Sequence, residues 1–142
     1  MTTRGTGRPS VLVTGGCGFI GSHLAEALID RGHRVAVIDD LSTGSLDNVE
    51  HLAGKPAFSH TIGTIVDGPL LERLAADCDV IFHLAAAVGV ELIIRDPVHV
   101  IETNILGTAA VLKAAARHGA AVFLASSSEI YGKGENTPFE ED

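Results

Sequence analysis

The sequence predicts a doubly wound α/β fold, in which a parallel sheet carries helices on its faces. Short apolar runs alternate with segments of helical period along the chain, an order that right-handed crossovers convert into a parallel sheet. A glycine-rich turn, Gly15-Gly16-Cys17-Gly18-Phe19-Ile20-Gly21, joins the first run to the first helical segment. A carboxylate, Asp39, ends the second run, at the strand edge where such folds bind ligands.

Residues 11–14 are an apolar run halted by glycines, the pattern of a buried parallel strand. Over residues 19–31, Ile20, Leu24, Ala27 and Leu28 recur at helical spacing, and Gly32 is placed to end the helix in a left-handed conformation. Residues 35–38 form the second strand, stopped by Asp39 and Asp40. Residues 41–54, rich in Ser, Gly, Asp and Asn, predict a loop with one helical turn. Residues 57–61 form a third, weaker strand. Asp67-Gly68-Pro69 then opens a helix carrying Leu70, Leu71 and Leu74, with Asp67 as its N-cap.

Residues 80–84 are the fourth strand, followed by a loop to Asp96-Pro97, an N-cap with proline at the first helical position. The helix begun there runs to about His118 and stops at Gly119, and residues 120–125 form the fifth strand. Residues 126–142 read as polar loop, acidic from Glu135 onward. The expected strand order is 3-2-1-4-5. A full dinucleotide-binding sheet of this type has six strands, so the expectation is an incomplete domain over residues 10–142 behind a flexible tail, residues 1–9.

At 142 residues the chain matches one domain. Aromatics make up only 4%, and Ala, Val, Ile and Leu dominate the apolar residues, a mixture suited to buried parallel strands. A net charge of −8 argues against a nucleic-acid partner, which would require clustered Lys and Arg. No apolar run is long enough to span a membrane. The N-terminus has no apolar leader and the two cysteines make no disulfide framework, so the cytoplasm is the expected location. The seven histidines lack paired ligand spacing, so they read as surface or turn residues and no metal is expected. Cys17 reads as a small filler of the glycine turn, and no P-loop ending is present.

The glycine turn contains two nested spacings, G-x-G-x-x-G from Gly16 and G-x-x-G-x-x-G from Gly15. Either presents helix N-terminal N–H groups to a phosphate, and a side chain at the closest approach would block a pyrophosphate. Asp39 can accept from both hydroxyls of an adenosine ribose and would repel a 2′-phosphate. No Arg or Lys between Val35 and Gly54 would hold such a phosphate. NAD is therefore the expected cofactor, in preference to NADP.

Gly15-Gly16-Cys17-Gly18-Phe19-Ile20-Gly21-Ser22-His23-Leu24 resembles the signature of the extended short-chain dehydrogenases/reductases, the NAD-dependent epimerases, dehydratases and decarboxylases of nucleotide sugars. Further stretches agree: Asp39-Asp40-Leu41-Ser42-Thr43-Gly44, His83-Leu84-Ala85-Ala86, Asn104 with Gly107-Thr108, and Ser126-Ser127-Ser128-Glu129-Ile130-Tyr131-Gly132. The resemblance runs from about Ser10 to Asp142 and implies a Rossmann fold.

By that resemblance, Gly15, Gly18, Phe19, Ile20 and Gly21 carry the cofactor pyrophosphate, and Asp39 the ribose. Asp40, Leu41, Ser42, Thr43 and Gly44 wrap the adenosine, and Thr64 and Ile65 lie beside the adenine. Thr64 departs from the acid usual in the family. Leu84, Ala85 and Ala86 face the middle of the cofactor, Asn104 holds the surrounding loops, and Ala125 and Ser126 complete the cofactor side. Ser127 matches the hydroxyl that donates to the sugar oxygen undergoing oxidation. Ser128 and Glu129 complete the catalytic segment, Glu129 facing the sugar.

The run Ser127-Ser128-Glu129 is similar to that of decarboxylases acting on UDP-glucuronate, where dehydratases show an Asp-Glu pair and 4-epimerases usually lack the acid. The expected substrate is a UDP-sugar, with decarboxylase-like and 4-epimerase-like outcomes both open, and the expected assembly a homodimer. The family's Tyr-x-x-x-Lys pair is absent. Tyr131 is the only tyrosine, and Gly134 and Glu135 stand where a lysine would be sought. The 142 residues alone are therefore expected to be inactive, and a non-catalytic NAD-binding module is the alternative.

Overall fold

Five strands, β1 (Ser10–Thr14), β2 (Arg34–Asp39), β3 (Phe58–Ile62), β4 (Val80–His83) and β5 (Ala121–Leu124), form one parallel sheet in the order β3-β2-β1-β4-β5. The computed structural model describes residues 7–132. Alternation along the strands sorts the core into two layers. Leu12, Ile38 and Ile81 point to one face, and Val11, Val13, Val35 and Val37 to the other. Strands β1 and β2 are buried on both faces, which is why they read as apolar runs without polar alternation.

Helix α1 (Phe19–Asp30) covers the valine face, burying Ala25 against it. Helices α2 (Gly68–Ala76) and α5 (Gly107–His118) cover the other face with Leu71, Ala75, Val111, Ala114 and Ala115. The expected caps are in place. Asp67 accepts from the Leu70 N–H at 3.1 Å and starts α2. Gly119, at φ +68°, ends α5 in the left-handed conformation. Glu72 of α2 joins α5 by accepting from Arg117 at 2.7 Å and meeting His118 at 2.8 Å.

The structure differs from expectation in several places. Residues 90–95, expected as loop, form the short helix α3 (Val90–Arg95). The segment is apolar on several sides and leaves Val90 and Ile94 exposed, so no helical periodicity marks it. The expected helix from residue 96 to His118 is present, but in three stretches: α4 (Pro97–Ile101), a π-helical turn (Glu102–Leu106) and α5. Two short 3₁₀ turns, Leu46–Asn48 and Glu50–Leu52, replace the single turn expected in residues 41–54.

His83 overturns the surface reading of the histidines: it is buried on the α5 side of β4, at 3% exposure. Pro9 is tied down through its carbonyl, 3.1 Å from His33 Nδ1, while the first six residues of the expected tail lie outside the described residues. The acidic stretch from Glu135 to Asp142 lies outside them too. Among the described residues, no helix is long and apolar enough to cross a membrane.

Candidate functional site

A cleft of about 690 Å³ opens at the carboxyl ends of β1, β2 and β4. Its floor is the glycine turn. A Cβ on Gly15, whose φ is +69°, would come within 2.9 Å of the Ala85 nitrogen and 3.0 Å of its Cα. Two constraints therefore demand glycine there: the left-handed backbone and the approach of the 84–86 loop. At Gly21 a Cβ would collide with the Gly15 carbonyl, so the helix packs onto the turn only without one.

Gly18 is different. Its backbone is extended, with φ −76° and ψ 176°, and a Cβ would meet only the Gly15 carbonyl, at 3.3 Å. Backbone strain does not require glycine at this cleft-lining position, and a Cβ there would need the Gly15 carbonyl to give by a few tenths of an ångström. Helix α1 starts from Gly18 with no side-chain cap, so its first N–H groups keep their donor capacity at the cleft. Phe19, Ile20 and Gly21 of this first turn line the cleft as well.

Asp39 is anchored before any ligand arrives. Its Oδ2 accepts from the Cys17 N–H and its Oδ1 from the Leu41 N–H, both at 2.9 Å. A carboxylate offers about four lone-pair sites, so each oxygen keeps capacity for a ligand hydroxyl. The Cys17 carbonyl in turn accepts from the Asn48 side-chain amide at 2.8 Å and the Ser45 N–H at 3.1 Å. The glycine turn and the 39–48 loop thus form one hydrogen-bonded unit. The Cys17 thiol is buried, and burial together with the Asp39 charge pushes its pKa up to about 11. It is protonated at neutral pH, as suits a packing residue.

Asp40, Ser42 and Thr43 line the cleft beside Asp39, but Leu41 and Gly44 do not. Leu41 has φ +60°, which aims its N–H at Asp39 while its side chain packs into the α1-side core. Gly44 lies against Cys17 and Asp39, where a Cβ would meet the Cys17 backbone at 3.0 Å. Both shape the support of the loop rather than its cleft face. Thr64 and Ile65 line the cleft, Ile65 being at the same time a buried core residue.

Leu84, Ala85, Ala86 and Ala125 line the cleft. Asn104 does not, and acts on the loop from behind: its Oδ1 accepts from the Ala87 N–H at 2.8 Å, and its Nδ2 donates to the Ala87 carbonyl at 3.0 Å. Ser126 and Ser127 are exposed beyond β5 and do not line the cleft. The side chains of Ser128 and Glu129 lie outside what is described. No group of His, Cys, Asp and Glu there could hold a metal ion.

Sequence reasoning missed the far wall, where Arg95 and His99 join the cleft from α3 and α4. No sequence signal joins them, because the non-helical Asp96 separates Arg95 at the end of α3 from His99 on α4. It also missed Thr14 and His83, whose hydroxyl and ring are 2.8 Å apart behind the 84–86 loop.

A family model described as GDP-mannose 4,6 dehydratase matches residues 12–142. The chain is 44% identical over 131 residues to a UDP-N-acetyl-alpha-D-glucosaminuronate decarboxylase of Bacillus cytotoxicus, covering 92% of this chain and 40% of that protein. It is 39% identical to UDP-glucuronic acid decarboxylase 1 of Danio rerio, covering 95% of this chain and 31% of that protein. Among solved structures, it resembles a UDP-glucose 4-epimerase from Stenotrophomonas maltophila with bound NAD and formylated UDP-arabinopyranose. There the TM-score is 0.84 at 31% identity, over 93% of this chain and 41% of that one. The chain thus spans well under half the length of these relatives. A match over residues 12–142, joined to this sheet order and glycine turn, makes the chain a member of the GDP-mannose 4,6 dehydratase family.

Proposed function

We propose that the cleft binds NAD, and that residues 10–142 are the cofactor-binding part of an enzyme that modifies a UDP-sugar. The observation that carries this is the pairing of Gly18, a cleft-lining glycine in an ordinary extended conformation, with the uncapped first turn of α1. A pyrophosphate explains both, since it needs free N–H donors and room for close approach. Asp39 stands at the tip of β2 with acceptor capacity to spare for the ribose. Asp40, Ser42 and Thr43 take the adenosine side, Thr64 and Ile65 the adenine, and Leu84, Ala85, Ala86 and Ala125 the middle of the cofactor. Held by these residues, NAD would supply a hydride acceptor and donor for redox chemistry at a sugar carbon.

In this reading Ser127 donates to the sugar oxygen being oxidised, Ser128 supports that segment, and Glu129 faces the sugar. The uronate decarboxylases named among the relatives favour decarboxylation of a UDP-uronate. The resemblance to a UDP-glucose 4-epimerase supports the second reading, inversion at a sugar carbon. The 142 residues contain no Tyr-x-x-x-Lys base pair, so by themselves they are expected to turn over no UDP-sugar. We further propose a homodimer, and a cytoplasmic location that suits Cys17 and Cys78, which form no disulfide.

Gly18→Val tests the cofactor site. Its side chain would occupy the cleft while the backbone stays in an ordinary extended conformation. NAD affinity should fall by more than about tenfold, the loss of one or two charge-assisted hydrogen bonds. The chain should stay folded, with a melting temperature lowered by a few degrees, since valine is a poorer N-cap than glycine. Unchanged affinity would remove the pyrophosphate from this turn.

A further inference from the structure

Behind the 84–86 loop, Thr14, His83 and Thr108 form a hydrogen-bonded chain whose protons can be assigned by counting. Thr14 Oγ1 accepts from the Leu84 N–H at 3.2 Å and the Ala85 N–H at 3.1 Å. The Leu84 N–H is shared with the Thr14 carbonyl, also at 3.2 Å. A hydroxyl has two acceptor lone pairs and one proton. With two donors already aimed at it, the Thr14 hydroxyl gives its proton to His83 Nδ1, 2.8 Å away. Nδ1 is therefore the bare nitrogen. The ring proton sits on Nε2, which donates to Thr108 Oγ1 at 2.9 Å.

The fold builds this chain from three elements. Thr14 and His83 are register partners on β1 and β4, and both face the helix layer. Thr108 stands in the first turn of α5, one helical turn after Asn104, which grips Ala87. The cleft loop is thus held at Leu84 and Ala85 by Thr14 and at Ala87 by Asn104. Its root, His83, is held by Thr108. Ala85 is also the residue whose backbone presses on Gly15.

We propose that His83, uncharged and with its proton on Nε2, is a positioning residue for the cofactor, orienting Thr14 so that the 84–85 backbone stays seated on the glycine turn. The inference rests on the NAD reading of the cleft. Protonation of the ring would put a donor where Nδ1 must accept, and would turn the Thr14 hydroxyl away from it. Burial, with no charged neighbour contributing, already holds the His83 pKa below the ordinary histidine value. The sequence of β1, β4 and β5 contributes no other charged side chain. The charged or titratable groups on the packed helix are Glu102 in the π turn and Lys113, Arg117 and His118 further along α5.

Two measurements on the full 142-residue chain test this. Long-range ¹H–¹⁵N spectra of the imidazole at pH 8 should show the Nε2–H tautomer. A Nδ1–H tautomer or a charged ring would overturn the network, whatever the cofactor does. NAD affinity should then fall about fivefold in Thr108→Val, the worth of one hydrogen bond, and return in Thr108→Ser. Val111→Ala, a core change on the same helix, should lower the melting temperature and leave affinity in place. Equal affinity in wild type and Thr108→Val would overturn the positioning role. If wild type binds no NAD, the cofactor reading fails and the positioning role falls with it, a result the spectra distinguish from failure of the network.

Discussion

Gly15 and His83 show how single residues set this site. Gly15→Ala would force a Cβ onto the Ala85 backbone at a φ of +69°. The left-handed backbone alone costs about 1–2 kcal/mol, so the melting temperature should drop by about 5 °C or more; an unchanged melt would show that the turn relaxes freely. His83 makes a pH prediction. Its folded pKa is lowered, so the unfolded chain binds the proton more readily. The stability it contributes is full above the unfolded value, about 6.5, and is lost as pH falls towards the folded value. Urea unfolding at pH 7.5 and 5.5 should show a loss that is smaller in His83→Gln. An equal loss in both would assign the slope to other groups. The placement of Asp39 and the turn glycines at the cleft was legible in the sequence, because a tight turn after β1 and a carboxylate ending β2 fall at fixed spacing. Leu41 was placed on the ligand side because nothing in the sequence marks its left-handed backbone. His83 was misread because a lone histidine has no spacing signal; its burial follows from its register with Thr14.

At the scale of elements, the strands were readable since each is a short apolar run bounded by a turn or a carboxylate. The caps were readable for their own reasons: Asp67 supplies an acceptor to an orphan N–H, and Gly119 accepts a left-handed backbone. Asp67→Ala should destabilise the chain by about 1 kcal/mol, measured by urea titration, whereas no change would mean that α2 is held by packing alone. The π turn was not legible. It leaves the length and composition of the helix unchanged, and its effect lies in where Asn104 meets Ala87. Helix α3 escaped notice for the complementary reason, since a six-residue segment carries too little periodicity to be told from a loop.

Across the whole molecule, the strand order was legible because right-handed crossovers leave few alternatives. The distribution of exposed apolar surface was only partly so. Phe123 and Leu124 of β5 are 54% and 50% exposed, and Ile101, Ile105 and Leu106 on the long helix are 56–61% exposed. Covering about 400 Å² of such surface contributes on the order of 10 kcal/mol at roughly 25 cal/mol per Å², comparable with the stability of a typical domain. The 142-residue chain is therefore expected to self-associate through β5 or the helix from Pro97 to His118. Sedimentation velocity should show mass rising with concentration; a concentration-independent monomer would contradict this. The cofactor assignment itself is tested most directly by calorimetric titration of the chain with NAD and with NADP, in wild type and in Asp39→Ala. NAD should bind wild type more tightly by about tenfold or more, since repelling a 2′-phosphate is worth at least about 1.4 kcal/mol, and the difference should narrow in Asp39→Ala. Equal or tighter binding of NADP by wild type would contradict the placement of the adenosine ribose on Asp39.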